Sequence, residues 1–154
     1  MKKIISLIIV TIFAIASYYF ISPLFNVVEV NDSLPESFMQ EPEDGGVVYA
    51  MDGPFEIHET FGHPAQGTVS VFEGDGKRFL RFENFKTING PNLHLYLAKD
   101  KDGKEFIDLG PIKGTEGSIN YELPDGVNLE DYPFILHWCV PFSVLFNYAK
   151  VEFN

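Results

Sequence analysis

The sequence lacks several kinds of residue or pattern, and each shortage excludes or disfavours a class of protein. Cys139 is the only cysteine, so the chain forms no internal disulfide, and this thiol is free, a ligand or a link to another chain. Lysine and arginine total 11 against 22 aspartate and glutamate residues, and a net charge of −11 makes nucleic acid a poor partner. No Ser-His-Asp order, carboxylate pair or phosphate loop stands out, so hydrolase and nucleotide chemistry have no positive support.

Hydrophobic and aromatic residues are plentiful. They make up 45% and 15% of the 154 residues, which is enough for one hydrophobic core. The length fits one domain of ordinary size with a short appendage. The aromatic and β-branched bias favours β-sheet over helix.

The N-terminus carries a long apolar run over residues 4–21, directly after Lys2 and Lys3. As a helix rising about 1.5 Å per residue it would be about 27 Å long, just enough to span a bilayer core. The two lysines hold the N-terminus in the cytoplasm and place the rest of the chain outside. We therefore expect a single-pass anchor in the cell membrane. The alternative is a signal peptide cleaved after the small-residue pattern at Ala14 and Ala16, which would give a secreted protein.

The stretch over residues 29–46 is polar and acidic, contains prolines and glycines, and shows neither helical nor strand periodicity. We interpret it as a linker. The chain then divides into an anchor and its flank over 1–28, the linker over 29–46 and a β domain over 47–154. Asn31 begins an Asn-Asp-Ser acceptor pattern for N-glycosylation, whose occupancy the sequence leaves open.

After residue 46, short apolar alternations recur about every ten residues with turn residues between them. This spacing predicts an all-β, antiparallel domain, sandwich-like or barrel-like, preceded by one N-terminal transmembrane helix. Residues 68–72 and 79–82 flank the turn at 73–76 and predict a β-hairpin. The acidic connection at 100–103 lacks calcium-loop ligands at the required positions, so we interpret it as a plain hairpin turn.

Two alternating stretches predict which side chains face the core. Phe55, Ile57 and Phe61 alternate with polar residues. The leucines at positions 93, 95 and 97 are expected on the core face of a strand, with His94 and Tyr96 on the other face.

The apolar segment 134–140 contains the cysteine and is bracketed by two prolines, as expected of a strand covered on both faces. Cys139 is therefore predicted to be buried. A period of two places Ile135, His137 and Cys139 on one face, with His137 about 7 Å from Cys139 at roughly 3.3 Å per residue. At that position His137 is able to lower the thiol pKa or to share a ligand sphere with the sulfur. The competing interpretation is that Cys139 is a small inert hydrophobe.

A blue-copper centre is disfavoured, because it needs two histidines with the cysteine and usually an axial methionine. No histidine or methionine follows Cys139. Of the other histidines, His58 occupies a polar alternate position and His63 lies in a Gly-His-Pro turn, and neither forms a ligand pair by spacing.

From about Gly53 to Val151 the sequence resembles the DM13 domain. The matching residues follow one another in order along the chain: Gly53, Phe55, His63-Pro64-Ala65, Gly67, Asn89-Gly90-Pro91-Asn92-Leu93, Tyr96-Leu97, Leu109-Gly110, Lys113-Gly114, Gly117, Asn120-Tyr121-Glu122, Pro124, Tyr132, Trp138-Cys139, Phe142-Ser143-Val144-Leu145-Phe146 and Ala149.

The resemblance implies a role in electron transfer, with Cys139 as the family's suspected redox cysteine. The cysteine would act as a naked thiol or as the ligand of a prosthetic group. The cofactor stays open between heme, another metal and none, and Cys139, His137, His94 and His63 are the candidate cofactor-binding residues. DM13 domains stand beside heme-binding DOMON domains in some larger proteins, and none accompanies the motif here. The implied electron partner is therefore a protein acting in trans.

The sequence thus predicts an extracytoplasmic, membrane-tethered redox or electron-transfer module that uses its single cysteine. The alternative is a non-redox β-sandwich that binds a protein or glycan, in which Cys139 is structural. We therefore expect an electron-transfer or binding domain rather than a self-contained enzyme.

Overall fold

The structure is a computed structural model that describes residues 2–22, 26–34, 49–74 and 77–152. It consists of one N-terminal helix followed by β-strands, as predicted. The elements are α1 (Lys2–Ile21), β1 (Glu29–Asn31), β2 (Tyr49–Glu56), β3 (His58–Glu59), β4 (Ala65–Gly74), β5 (Lys77–Thr87), β6 (Leu93–Ala98), β7 (Phe106–Pro111), β8 (Glu116–Glu122), β9 (Phe134–Cys139), a 3₁₀ turn (Val140–Phe142) and β10 (Val144–Lys150). Residues 35–46 of the expected linker and 75–76 of the expected hairpin turn lie outside the described residues.

The strands form two five-stranded sheets with the orders β1-β8-β5-β4-β2 and β3-β10-β9-β6-β7. All their pairings are antiparallel except that of β1 with β8. The hydrophobic core lies between the sheets, where Phe82 and Phe85 of β5 pack in one cluster with Leu95, Leu97 and Ile135 of the facing sheet. The fold is therefore a β-sandwich.

The predicted hairpin is formed by β4 and β5, which pair Val69 with Phe82 and Val71 with Leu80. Phe61 differs from its predicted position on a core face. It is fully exposed, because Thr60 and His63 close a tight turn at the point where the alternation was expected to continue.

The three leucines of β6 face the core, as predicted. Tyr96 points to the other face and is buried as well, because the ring of Phe106 stacks on it at 4.0 Å and Trp138 lies 6.2 Å away. The prediction that β9 is covered on both faces is confirmed. Cys139 packs in an inner cluster and Leu136 in an outer one.

The beginning of the expected linker is part of the fold. Glu29–Asn31 forms β1, which pairs in parallel with β8. Gly117 allows this close approach, since it has a φ of +114° and a Cβ there would lie 2.1 Å from the carbonyl oxygen of Val30. A three-residue edge strand is too short to show alternation, which is why the sequence pattern missed it.

The helix α1 is long and apolar enough to cross a membrane, or to act as a signal sequence. Its described side chains are exposed except at Ser17.

Candidate functional site

Cys139 is the last residue of β9 and is only 1% exposed. It lies between Leu93 of β6 and Val144 of β10 in the strand register, and it packs with Leu93 and Phe146. Its Sγ donates a hydrogen bond to the carbonyl oxygen of Pro91 at 3.3 Å. The predicted buried free thiol is confirmed.

The residues that directly follow Cys139 are exposed. The chain turns outward immediately after Cys139 into the 3₁₀ turn, where Val140 is 36% and Phe142 is 54% exposed. Ser143 ends the turn in the left-handed region, with a φ of 51°. Cys139 therefore lies at one end of its strand, next in the chain to an exposed turn, although the thiol itself does not reach solvent.

The local environment keeps the thiol protonated. Burial raises the pKa of Cys139, and the backbone N–H of Phe142, which stabilises the thiolate, offsets only part of that effect. The thiolate is the nucleophilic and ligating form of cysteine. In the described conformation that form is scarce at neutral pH.

His137 lies on the same face of β9 and is enclosed by aromatic rings. Its ring stacks on Phe85 with centroids 4.8 Å apart and meets Phe82 edge-on at 5.4 Å. Complete burial lowers the pKa of His137 to about 4, so the imidazole is neutral at pH 7. A neutral ring contributes no positive charge to the thiolate. The raised pKa of Cys139 therefore gives no support to the expectation that His137 lowers it, and a role for His137 stays a prediction.

A buried polar network accompanies His137. Asn147 lies opposite it on β10 and donates from Nδ2 to Oγ1 of Thr87 at 2.9 Å. The Asn147 side chain partly opposes the fall in the pKa of His137. Its Oδ1 is nonetheless buried without a partner of regular hydrogen-bond geometry, so we regard its interaction with His137 as weak. Sequence patterns missed Asn147, because the register of β10 shifts between Leu145 and Asn147 and breaks the alternation.

His94 does not join Cys139. It lies on the opposite face of β6 from Leu93 and Leu95, and its Nδ1 is 2.8 Å from a carboxylate oxygen of Asp108. The sheet therefore separates the imidazole from the sulfur.

His63 lies at the same end of the domain as Cys139 and contacts the same aromatic ring. Its imidazole stacks on Phe146 at 4.0 Å, and its Nδ1 is 3.2 Å from Oγ1 of Thr60. Burial lowers the pKa of His63. His63 and Cys139 both pack against the Phe146 ring, and they do not share a ligand sphere.

These positions do not fit a metal or heme centre. Within residues 2–22, 26–34, 49–74 and 77–152, no three histidine, cysteine, aspartate or glutamate side chains converge as metal ligands would. The thiol of Cys139 donates its hydrogen bond to the backbone carbonyl of Pro91, and the ring of His137 packs against Phe82 and Phe85. The chemistry that the arrangement supports is that of a protonated, shielded thiol.

Comparison with known proteins gives one match. A family model described as "Electron transfer DM13" matches residues 55–151. No curated protein and no solved structure matches the chain.

Proposed function

Because the chain belongs to the DM13 electron-transfer family, we propose that it is a redox module tethered outside the cytoplasm, in which Cys139 exchanges electrons with a protein partner in trans. The observation that carries the proposal is the position of Cys139. It is the sole cysteine of the matched region, and the 3₁₀ turn that directly follows it in the chain contains no buried residue.

The state of the thiol sets a condition on the chemistry. Because Cys139 keeps its proton, removal of an electron from the sulfur must be accompanied by release of that proton to the partner or to water. Among the residues that the structure describes, no cluster of three or more metal-ligating side chains is found. In this proposal the partner supplies the oxidising centre and is reduced by the same electron. The midpoint potential should therefore fall by about 59 mV per pH unit for one proton per electron. Since the thiol pKa is raised, this slope should persist at least to the pKa of an ordinary cysteine.

A mediated coulometric titration tests this proposal on the full-length protein in detergent. We expect the wild type to exchange electrons reversibly and Cys139→Ala to exchange none. Val144→Ala is the matched control, because Val144 neighbours Cys139 across the sheet and carries no redox chemistry. A folded Cys139→Ala protein that titrates like the wild type would overturn the redox role of the sulfur.

The tether is supported by the exposed apolar surface of α1 and by the two lysines at its start. In this proposal α1 stays uncleaved and crosses the membrane once, with the β domain outside. The full-length protein should float with membranes after alkaline washing. N-terminal sequencing that finds Ser17 as the first residue would instead establish the secreted form.

A second candidate function is a non-redox binding module, which one groove favours. The groove has a volume of ≈ 550 Å³ and lies at the edge of the sandwich away from Cys139. Its aromatic lining includes Tyr148 with His58 at 5.1 Å, and Nζ of Lys101 lies 4.8 Å from the centre of the Tyr148 ring. Aromatic faces beside lysines suit a small ligand that combines a carboxylate with an apolar or ring face.

The two functions separate by mutation. Under the binding alternative, a sugar acid such as glucuronate should shift the NMR signals around Tyr148 and Lys101. Cys139→Ala should keep that response and Tyr148→Ala should lose it. Absence of any response in the wild type would remove the support that the groove gives for this probe class.

A further inference from the structure

The chain enters the β domain at the end that contains Cys139. Asn89 donates from Nδ2 to the carbonyl oxygen of Asn26 at 3.1 Å, and two residues later the loop of Asn89 presents the Pro91 carbonyl to Cys139. The backbone N–H of Val28 donates to Oγ1 of Thr115 at 2.9 Å, and the backbone N–H of Thr115 donates to the carbonyl oxygen of Val28 at 2.8 Å. From there β1 runs parallel to β8, away from this end.

The connection to α1 is short. The helix ends at Ile21, and only four peptide steps separate Ser22 from Asn26. Fully extended, these steps reach about 14 Å. A membrane anchor ending at Ile21 therefore keeps the Cys139 end of the domain close to the bilayer surface.

Exposed hydrophobic side chains concentrate at this same end. Outside α1, the exposed large hydrophobic side chains among the described residues are Val27, Val28, Phe61, Phe106, Val140 and Phe142. All but Phe106 lie at the Cys139 end. We call the group of Val27, Val28, Phe61, Val140 and Phe142 the apolar end.

Hydrogen bonds and strand pairing place Phe61 at the Cys139 end and Phe106 at the opposite end. Oγ1 of Thr60, the neighbour of Phe61, lies within hydrogen-bond distance of the carbonyl oxygens of Leu145 and Phe146, at 2.9 and 2.7 Å. Leu145 directly follows Val144, the strand partner of Cys139. Phe106 lies at the opposite end of its sheet, since it pairs with Ala98 while Cys139 pairs with Leu93 at the other end of β6. Five exposed apolar side chains at the end where the chain enters the domain differ from the scattered single exposures usual on a soluble surface.

We propose that the apolar end docks on the outer surface of the bilayer, with Phe61 and Phe142 inserted at the level of the headgroups. The proposal rests on the membrane tether of the proposed function. Aromatic side chains favour this interfacial layer, and burial of apolar area strengthens such binding. Contact through the apolar end is not driven by positive charge, because the chain beyond the anchor has nine basic and 22 acidic residues. Docking in this orientation restricts access to Cys139 to partners that lie in or on the membrane.

Depth-dependent fluorescence quenching tests the proposal with the full-length protein in neutral phosphatidylcholine vesicles. Trp138 is the only tryptophan, so Trp138→Phe gives a dark background. Single reporters are then introduced as Phe142→Trp, Phe61→Trp and Phe106→Trp. With brominated lipids we expect at least twofold stronger quenching at positions 142 and 61 than at 106. Phe106 is the matched control, because it is a partly exposed phenylalanine at the opposite end of the same sheet.

A second substitution separates docking from mere proximity to the tether. Phe61→Asp should reduce the quenching of the Phe142→Trp reporter, and Phe106→Asp should leave it unchanged. Each variant is first checked by circular dichroism and thermal unfolding. Equal quenching at 142, 61 and 106 in protein that floats with the vesicles would overturn the docking and leave the tether intact. Protein that does not float would overturn the tether and the docking together, while the redox titration of Cys139 would still decide the role of the sulfur.

Discussion

His137 and Asn147 face each other across β9 and β10 in the interior of the sandwich, and they are 2% and 0% exposed. The imidazole is neutral there because its protonation would place a charge between Phe82 and Phe85. The unfolded chain does not impose this cost. Protonation of His137 in acid should therefore destabilise the fold.

The first prediction concerns this acid sensitivity. The pKa of His137 is about 4 in the folded state and about 6.5 when unfolded, so the unfolded state takes up the proton first as the pH falls. Its contribution to stability is complete above pH 6.5 and declines towards pH 4, where the loss reaches about 3 kcal/mol. Urea unfolding of His137→Gln, which cannot titrate, should show a smaller loss over this pH range than the wild type. Identical losses in both proteins would show that His137 is not the group responsible.

The second prediction concerns access to Cys139. A buried thiol with a raised pKa should react slowly with an aromatic disulfide reagent at pH 8, and the native protein should run as a monomer in non-reducing electrophoresis. The control places the thiol one residue further along, as Val140→Cys in a Cys139→Ala background. We expect this thiol to react roughly 100-fold faster, because position 140 is exposed and a reagent reaches it without local opening of the structure. A quantitative disulfide-linked dimer of the native protein would show that Cys139 is exposed.

The third prediction concerns Gly90, which lets the loop before β6 approach the Cys139 cluster. A Cβ at this position would lie 2.7 Å from the tip of the Phe146 ring, which is itself stacked on His63. Gly90→Ala should therefore cost about 1 to 3 kcal/mol of stability and increase the labelling rate of Cys139. Chemical denaturation and the same thiol assay measure the two effects. Loss of stability with an unchanged labelling rate would show that the Phe146 packing does not control access to the sulfur.

The sequence predicts the features of this site that depend on one strand better than it predicts the contacts that other strands make with it. The period of two correctly placed Cys139 and His137 on one face of a strand covered on both sides, since that pattern depends on six consecutive residues. The protonation states depend instead on Phe82 and Phe85, which reach His137 from the opposite sheet. No spacing along the chain encodes that contact.

The hydrogen-bond partner of the thiol is also invisible in the sequence. It is the backbone carbonyl of Pro91, and every residue type carries a carbonyl. The apolar end is hidden for a related reason. Its members come from five positions spread over more than 100 residues, and only the folded chain assembles them.

The last prediction concerns the contact between β1 and β8, which fixes the segment after α1 to the β domain. Gly110 and Gly117 both have positive φ angles, of +95° and +114°, so alanine is strained at each. A Cβ at Gly110 meets nothing within 4 Å, whereas a Cβ at Gly117 would lie 2.1 Å from the Val30 carbonyl oxygen. Gly117→Ala should therefore displace β1, and Gly110→Ala is the control for backbone strain alone.

Hydrogen exchange measures that displacement directly. The amide of Thr115 donates to Val28 and the amide of Asp32 donates to Ser118, both at 2.8 Å, so both amides depend on this segment staying in place. In Gly117→Ala they should lose most of their protection, while amides of the β4–β5 pair keep theirs. In Gly110→Ala both amides should stay protected, apart from the global loss of about 1 to 2 kcal/mol expected from the strained φ. If Thr115 and Asp32 exchange equally fast in both variants, backbone strain explains the effect, and β1 does not hold the segment after α1 to the Cys139 end.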